Sequence, residues 1–345
     1  MLRFRYICLT LATALIIGLS SCNNTTTTTE NPSVPTASNN TQATEAVSHR
    51  GHSSKKQINI NTGILSELDK FEGQLGVPAL SHKIQANRPY ASPEELVSKK
   101  VISQEQFDQI KDQVTVREVV LTGEAKDVDY MTKLGLMKGH LLVAKELLDQ
   151  NQPKQAEPHI GHPVEEIYVD VEEQLNERKV KEFKTSLVSL QDFVKSNPKN
   201  PKVKTDFTSS MQSVDTAIAS LNTEQRTEPK FVLQVINGLL DAANSEYSAA
   251  IANGKVSAEI EYQDSRGFVN YANELYKSIA SKMAQAHPSE HKAIETSMAE
   301  LTTVWPSAIP PTKLVKTPED VTKLVKTIEQ NSQKVIQTSN TQAQR

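Results

Sequence analysis

Apolar residues recur every three or four positions along most of the chain from Asp129 onward. The first segment of this kind repeats them at Tyr130, Leu134, Met137, Leu141, Ala144 and Leu148. This spacing places the apolar side chains on one face of an α-helix. The same spacing predicts further helices over residues 163–175, 181–194, 206–221, 229–252, 256–283, 288–304 and 318–336. Short polar loops join these segments, so we predict an antiparallel helical bundle over residues 128–337 and a disordered tail over residues 338–345.

Residues 57–118 show shorter helical segments that predict a small, separate helical domain. Thr62 is the predicted cap of a first helix, and Pro78 lies in the first turn of a second. Ser92 is the predicted cap of a third helix, and Ser103 begins a fourth. No alternating strand pattern competes with these helices. The predicted fold class is therefore all-α, with a small domain followed by a helical bundle.

The first residues have the pattern of a signal peptide. Arg3 and Arg5 precede an apolar run that is too short to span a bilayer, and the run ends at Ser20-Ser21-Cys22. The sequence from Leu19 to Cys22 resembles the lipobox of bacterial lipoproteins, which implies that the Cys22 thiol receives a diacylglyceryl group. We therefore predict a signal peptide over residues 1–21 and a lipid anchor at Cys22. The protein would then lie in the cell envelope, bound to a membrane at the periplasmic face or in the outer membrane. An ordinary secretory signal with a chance cysteine is the alternative.

The segment after this cysteine is rich in Thr, Asn and Ser and has almost no large apolar side chain before Ile58. Such a segment cannot bury enough surface to offset its ordering entropy, so residues 22–56 are predicted to be a disordered tether. His49 and His52 near its end are expected to be solvated. Loss of Arg3 and Arg5 with the signal changes the formal charge from −3 to −5. That balance excludes a globally basic nucleic-acid-binding protein.

The small domain resembles a known family in several short stretches: residues 58–62, 65–68, 79–84, 93–96 and 109–110, with a glycine turn at residues 73–76. They are similar to the tandem helix-hairpin-helix domain of ComEA-type DNA receptors and to the photosystem II extrinsic subunit PsbU. The ComEA resemblance implies DNA binding through backbone N–H groups at glycine-rich hairpins. The PsbU resemblance implies protein docking.

Both hairpins depart from the ComEA pattern. Glu72 stands beside Gly73, and residues 101–103 replace the second glycine turn. Acidic side chains nearly balance the positive charge of this domain. We therefore favour a protein-docking surface and keep weak DNA binding as the alternative. The candidate docking residues are Gly73, Gly76, Lys83, Arg88, Lys99 and Lys100.

The bundle carries one group of residues with the chemistry of a metal site. His140 lies at the edge of the first apolar stripe, and His162 precedes Glu165 and Glu166 by three and four positions. Residues at these spacings share a helix face, and mixed imidazole and carboxylate ligands suit iron, copper or zinc. The sequence therefore predicts a transition-metal site at His140, His162, Glu165 and Glu166. The alternative is structural: His162 caps a helix that starts at Pro163, and His140 is a hydrogen-bonded core histidine.

Two resemblances give this site an expected role. Residues 240–247, 254–256 and 261–268 look like the periplasmic helical region of Ftr-type iron permeases. Residues 162–165 are similar to the His-x-x-Glu motif of imelysin/EfeO-like envelope proteins, although Ile160 stands where that family has a glycine. Both resemblances imply iron handling.

The chain has no Gly-x-Ser-x-Gly turn, P-loop, dinucleotide fingerprint or His-Glu-x-x-His motif. A polar set on two neighbouring predicted helices indicates inter-helix salt bridges, with a ligand site as the alternative: Glu246, Tyr247, Glu261, Tyr262, Asp264 and Arg266. We therefore expect a non-enzymatic envelope lipoprotein that has a docking domain and a metal-binding bundle. A ComEA-like surface DNA receptor is the alternative function.

Overall fold

The computed structural model describes residues 57–117 and 120–343. The predicted signal peptide, the anchor residue Cys22 and the predicted tether with His49 and His52 lie outside the described residues. The described part of the chain is helical, with two short pairs of strands. The predicted all-α class, a small helical domain followed by a helical bundle, is thus confirmed. None of the described helices combines the length and apolar character that crossing a membrane requires.

The first and last segments of the small domain pair with each other. Strand β1 (Ile58–Asn59) pairs in parallel with β2 (Val114–Thr115), so the first and last segments of the domain are neighbours. Between them a separate core of apolar side chains is buried, with Leu68, Phe71 and Leu80 among the fully buried residues. The elements between the strands are helices α1 (Leu65–Leu75), α2 (Leu80–Ala86), α3 (Glu95–Ser98) and α4 (Gln104–Ile110), followed by a 3₁₀ turn (Lys111–Gln113).

The predicted helix starts in this domain are correct in one case out of four. Ser103 caps α4 through a capping box: its hydroxyl accepts from Gln106 N, and the Gln106 side chain accepts from Ser103 N. Thr62 does not cap α1, which begins at Leu65 with Ile64 as its N-cap residue.

The second and third helices also start later than predicted, because other groups satisfy their first backbone N–H groups. Helix α2 begins at Leu80, after the Pro78 turn, and the Glu72 carboxylate accepts from Ala79 N and Ser81 N. Helix α3 begins at Glu95 and has no side-chain cap from Ser92.

The bundle has longer helices at the predicted places. A two-residue hairpin with Asn253 and Gly254 in the left-handed region, as a tight I′-type turn requires, joins its two most closely packed helices. The last helix runs on to Ala343, beyond residue 336 where the prediction ended it. The elements are α5 (Gly123–Asp149), α6 (Pro153–Ala156), α7 (Pro158–His162), a π turn (Pro163–Ile167), α8 (Tyr168–Glu177), α9 (Lys184–Ser196), α10 (Pro201–Ala219), α11 (Thr223–Arg226), α12 (Pro229–Ala250), β3 (Ile251–Ala252), β4 (Lys255–Val256), α13 (Glu259–Ala286), α14 (Pro288–Thr302) and α15 (Pro318–Ala343).

Helix α12 lies at the centre of the bundle. It packs against α13, α5 and α15, and it buries apolar side chains around most of its circumference. A helix that is apolar on most sides is expected at the core of a helical assembly. Each fully buried Leu, Ile or Val contributes roughly 1.5–3 kcal/mol relative to exposure.

The small domain packs directly on this central helix. Helix α1 lies against α12, and the Ile64 side chain belongs to the apolar core of the bundle rather than to the core of its own domain. A β-carbon on Gly73 would stand 3.2 Å from Ser248 Cβ. The described small domain and bundle therefore form one compact unit.

Candidate metal centre

A widened turn places His162 in the bundle. Helix α7, the π turn and α8 form one continuous helical run, and Tyr168 N donates to Pro163 O, five residues back. Pro163 has no backbone N–H, and its ring would crowd the carbonyl group four residues earlier, so the helix widens at this point. Such π turns are frequent at functional sites. His162 lies inside the run and caps no helix, which corrects the structural alternative for this residue.

A glycine contact places the second histidine. Helices α5 and α13 approach most closely where Gly139 faces Gly267, because neither residue has a side chain to separate the backbones. His140 follows Gly139 on α5, and Asp264 lies one turn before Gly267 on α13. The close approach therefore brings the His140 ring to the Asp264 carboxylate.

Asp264 is the centre of a buried group of histidines. Its Oδ1 atom lies 2.6 Å from His140 Nδ1 and 2.7 Å from His159 Nδ1. Its Oδ2 atom lies 3.7 Å from His162 Nδ1. The side chains of Asp264, His140 and His159 are almost fully buried, and that of His162 is 27% exposed. Three imidazoles from two helical segments thus surround one carboxylate.

His159 holds the carboxylate in place. Its Nδ1 faces Asp264 Oδ1, and its Nε2 faces Gln263 Oε1 at 2.7 Å. The amide group of Gln263 is fixed in turn, because its Nε2 donates to Gln155 Oε1 and to Ala308 O. Both ring nitrogens of His159 therefore meet oxygen acceptors. His159 orients Asp264 from behind, as outer partners of ligand carboxylates commonly do.

His140 faces the carboxylate through one ring nitrogen. Its buried Nδ1 lies 2.6 Å from Asp264 Oδ1 but is not aligned for a hydrogen bond with it. A bound metal ion would give this nitrogen an aligned partner.

Asp264 supplies the negative charge of this group, and the histidines respond to it differently. Burial alone would raise the pKa of Asp264, but the His140 and His159 imidazoles hold it well below its usual range. Burial lowers the pKa of His140, and Asp264 offsets this effect in part. Burial opposes a charged His162, yet the hydrogen bond and charge of Asp264, with smaller effects of Glu166 and Glu165, raise its pKa to about 9. An ionised carboxylate is thus kept beside a neutral, buried imidazole.

His140, His162 and Asp264 have the chemistry and spacing of a ligand set. One nitrogen from each histidine and one oxygen of Asp264 lie within 4.8 Å of one another. Imidazole with carboxylate suits iron, copper or zinc and does not select one of them. The residues present therefore fit the predicted metal.

The triad lines a small, partly open cavity of about 30 Å³. Carboxyl groups line much of the remaining wall, and His82 of the small domain lies at the exposed edge. Burial, partly offset by His162, raises the pKa of Glu166 to about 7. The lining residues are Leu65, Asp69, His82, His140, His162, Glu166, Glu246, Ile260, Glu261 and Asp264.

The structure brings together some of the predicted metal residues but not all of them. His140 and His162 are brought together, and Glu166 lines the same cavity. Glu165 is exposed and does not line it, because Glu166 rather than Glu165 shares the inward face with His162. Asp264 takes the carboxylate position of the triad.

In the sequence, Asp264 belongs to a set of polar residues that indicates salt bridges between helices. The cation of that set, Arg266, instead pairs with Glu146 at 2.8 Å and leaves Asp264 to the histidines. The sequence does indicate that Asp264 is buried, because it lies on the same helix face as the apolar residues Phe268 and Tyr271. A carboxylate on a buried face needs a partner.

Most of the predicted docking residues have structural contacts. Gly76 ends α1 in the left-handed region, and Lys83 Nζ donates to Pro78 O at 3.3 Å. Arg88 Nε donates to Ile60 O at 2.7 Å, so this guanidinium holds the start of the domain. Lys99 Nζ donates to Asn87 O at 3.0 Å and pairs with Glu95. Lys100 is exposed and has a φ of 58°.

Two family models match parts of the chain. Residues 222–339 match the iron permease-associated 4-helix bundle domain, and residues 53–115 match the helix-hairpin-helix motif. These matches confirm the helix-hairpin-helix and Ftr-type resemblances seen in the sequence. Asp264 lies inside the first match, whereas His140 and His162 lie before it. No curated protein and no solved structure matched the chain.

Proposed function

We propose that this protein binds a transition-metal ion of the iron, copper or zinc class at His140, His162 and Asp264, and that it handles iron in the cell envelope. The observation that carries the proposal is the buried triad, in which His140 Nδ1 is not aligned for a hydrogen bond with Asp264. The match of residues 222–339 to an iron permease-associated domain supports iron as the natural ion and a membrane permease as the partner.

The triad performs binding rather than catalysis in this proposal. His140 supplies a neutral imidazole, and Asp264 supplies the negative charge that a cation requires. His162 gives up a proton when it coordinates, so affinity falls as the pH is lowered. His159 keeps Asp264 oriented through its hydrogen bond. The exposed side of His162 is the side from which an ion reaches the triad.

Calorimetric titration with ferrous, cupric and zinc ions tests this function. We expect the wild-type protein to bind one of these ions and the His162→Ala variant to lose that binding. His291→Ala is the matched control, because His291 is also partly buried but bonds to Tyr276 at 2.7 Å, outside the cavity. A wild type that binds none of the three ions contradicts the proposal, as does equal binding by the His162→Ala variant.

The proposed location depends on Cys22. The lipobox-like sequence from Leu19 to Cys22 supports a lipid anchor, and the buried acyl chains would add about 0.8 kcal/mol per CH₂ group. We expect Cys22→Ser to release the protein from the membrane fraction. Retention of the variant on membranes after a high-salt wash would show that the anchor lies elsewhere.

Binding to DNA is the second candidate function. The match of residues 53–115 to the helix-hairpin-helix motif supports it, since that motif allows nucleic-acid binding. In the first hairpin, however, Glu72 already accepts from the backbone N–H groups of Ala79 and Ser81. We therefore place metal binding ahead of DNA binding.

A further inference from the structure

The connection between α14 and α15 lies against the same helix that supplies Asp264. It covers residues 303–317, forms no helix or strand, and contains three prolines, which lack the backbone N–H that such elements need. Trp305 and Ala308 in its first part are nevertheless buried, with 2% and 0% of their surfaces exposed. We call residues 305–309 the strap. Side chains of the bundle hold this segment in place.

Hydrogen bonds from α13 and α5 reach the backbone of the strap. Three side chains of α13 each donate to one of its carbonyl oxygens: Arg266 to Trp305 O, Tyr262 to Ser307 O at 3.3 Å and Gln263 to Ala308 O at 3.2 Å. From α5, Glu146 accepts from Ala308 N at 2.9 Å and from Arg266 Nε at 2.8 Å. The position of the strap therefore depends on α13, and through Glu146 on the crossing of α13 with α5.

Gln263 also contacts the residues around the triad. Its Nε2 donates to Ala308 O and to Gln155 Oε1 at 2.9 Å. Because a carbonyl oxygen can only accept, the amide nitrogen must face Ala308, and Oε1 is left to face His159 Nε2 at 2.7 Å. The other ring nitrogen of His159 faces Asp264 Oδ1 at 2.7 Å. A continuous chain of hydrogen bonds thus joins the strap backbone to the carboxylate of the triad.

This chain of hydrogen bonds is shielded from water along its length. His159 is 0% exposed, Gln263 is 1% exposed and Asp264 is 3% exposed. A buried polar group that loses its partner cannot replace it with water, and hydrogen bonds in series strengthen one another. A displacement of one of these groups is therefore passed on to the next.

We propose that the strap and Gln263 position the metal triad, so that ion binding by Asp264 and ordering of the strap stabilise each other. The proposal rests on the metal-binding function proposed for the triad and assigns Gln263 as a positioning residue. A ligand carboxylate binds an ion more tightly when its outer partners fix its orientation. By linkage, the factor by which the held strap improves ion affinity equals the factor by which the ion stabilises the held strap.

Trp305 makes the state of the strap observable. It is the only tryptophan of the chain, and its ring packs edge-on against the Tyr247 ring, with 5.1 Å between ring centroids. Tyr247 also donates to Lys316 O at 2.7 Å, at the far end of the same connection. A movement of the strap therefore changes the surroundings of the indole and with them its fluorescence emission.

Amide exchange of the full-length protein tests the proposal. It is measured by mass spectrometry without metal and with Zn²⁺, Cu²⁺ or, under anaerobic conditions, Fe²⁺, and calorimetry establishes which ion is bound. We expect a bound ion to slow exchange in residues 305–309 at least about fivefold, the lower end of common coupling factors. With Zn²⁺, which has no redox chemistry, the emission of Trp305 gives an independent measurement.

Two variants of neighbouring residues distinguish the chain of hydrogen bonds from general loosening of the strap. Gln263→Met removes the amide group at similar side-chain length, and we expect at least about fivefold weaker ion binding and no effect of the ion on the strap. Tyr262→Phe is the matched control, because it removes the bond to Ser307 O and leaves the chain to Asp264 intact. We expect faster strap exchange without metal in this variant, but unchanged ion affinity and the same slowing by the ion. Circular dichroism establishes that each variant is folded.

The outcomes separate the coupling from the metal-binding function. Slower strap exchange on ion binding in wild type and Tyr262→Phe, lost in Gln263→Met, supports the coupling. A bound ion that leaves both strap exchange and Trp305 emission of the wild type unchanged overturns the coupling and leaves the triad function intact, and this comparison is decisive even if Gln263→Met does not fold. Full protection and affinity in Gln263→Met, or loss of protection in Tyr262→Phe, also overturns it. A wild type that binds none of the three ions overturns both proposals.

Discussion

Gly267 of α13 lies so close to Gly139 of α5 that the carbonyl oxygen of Gly139 occupies the space a β-carbon on Gly267 would need. The contact has a direct effect on the next residue, His140. Its ring packs edge-on against the Phe268 ring, with 4.9 Å between ring centroids, and its Nδ1 faces Asp264. A backbone contact between two glycines thus sets the distance between two residues of the metal triad.

Replacement of Gly267 by Ala should therefore weaken both the fold and the metal site. The new methyl group meets main-chain atoms, which cannot move aside without separating α5 from α13. We expect a loss of about 1–3 kcal/mol in the free energy of unfolding, as for other overpacked cores, and weaker metal binding. Urea denaturation measures the first effect, and calorimetric titration measures the second.

Gly135→Ala is the comparison variant. Its β-carbon would lie 3.1 Å from side-chain atoms of Leu239 and Tyr271, and these can move by a few tenths of an ångström. We expect a smaller loss of stability than in Gly267→Ala and unchanged metal affinity. Equal effects of the two substitutions would show that the backbone contact does not position the triad.

The cap of α4 gives a second prediction. Ser103→Ala removes the hydroxyl that accepts from Gln106 N at 3.2 Å, so an unpaired N–H is left at the helix start. Loss of a Ser cap typically costs about 0.5–2 kcal/mol. Thr62→Ala, at the cap position suggested by the sequence, should cost much less because its side chain caps no helix. Thermal unfolding of both variants checks this order, and a larger loss in Thr62→Ala would reverse the assignment.

The sequence predicted the long helices well because each has one apolar face that must be buried. It predicted helix ends less well, because the groups that satisfy the first N–H groups come from elsewhere in the fold. Helix α2 shows this clearly, since its start is held by Glu72 of the preceding helix. Its neighbour α4 was predicted correctly because the capping box of Ser103 and Gln106 lies within four consecutive residues.

The candidate metal site was predicted in part for a similar reason. The spacing of His162 and Glu166 lies within one helical segment and can be read locally. The partnership of His140 with Asp264 depends on how α5 crosses α13, which no local spacing contains. The placement of Asp69 and Glu246 in the wall of one cavity depends on the docking of one domain on another. Such contacts between distant segments became visible only when the helices were packed.

Asp170 gives a prediction for the pH dependence of stability. Burial raises the pKa of its carboxyl to about 6, with Lys133 and Arg88 opposing the shift and Glu67 and Asp129 adding to it. The ordinary value of about 3.9 applies to the unfolded chain, so the folded protein holds this proton more tightly. The resulting stabilisation is fully present below about pH 4 and is lost as the pH rises through about 6.

Asp170→Asn removes this titration by replacing the carboxyl with a neutral group of similar shape. We expect the variant to be more stable than wild type by about 1–2 kcal/mol at pH 8 and equally stable at pH 4, given that one pKa unit corresponds to about 1.4 kcal/mol. Urea denaturation at the two pH values provides the test. Asp241→Asn, at an exposed position of α12, is the control and should change stability little at either pH. A variant that is less stable than wild type at pH 8 would contradict the stated sign.

The last prediction concerns DNA. We expect the full-length protein to bind duplex DNA no more tightly than about 10⁻⁶ M at physiological salt, within the range of non-specific binders. In the first hairpin the backbone N–H groups of Ala79 and Ser81 already donate to Glu72, and Gly73 faces Ser248 of the bundle. Lys100 is an exposed cation of the second hairpin. Fluorescence anisotropy at two salt concentrations measures the affinity and its salt slope. If the second hairpin makes the contact, Lys100→Glu should reduce that slope by about one unit. A sub-micromolar complex that weakens steeply with salt and with Lys100→Glu would contradict this prediction and establish the small domain as a DNA-binding surface.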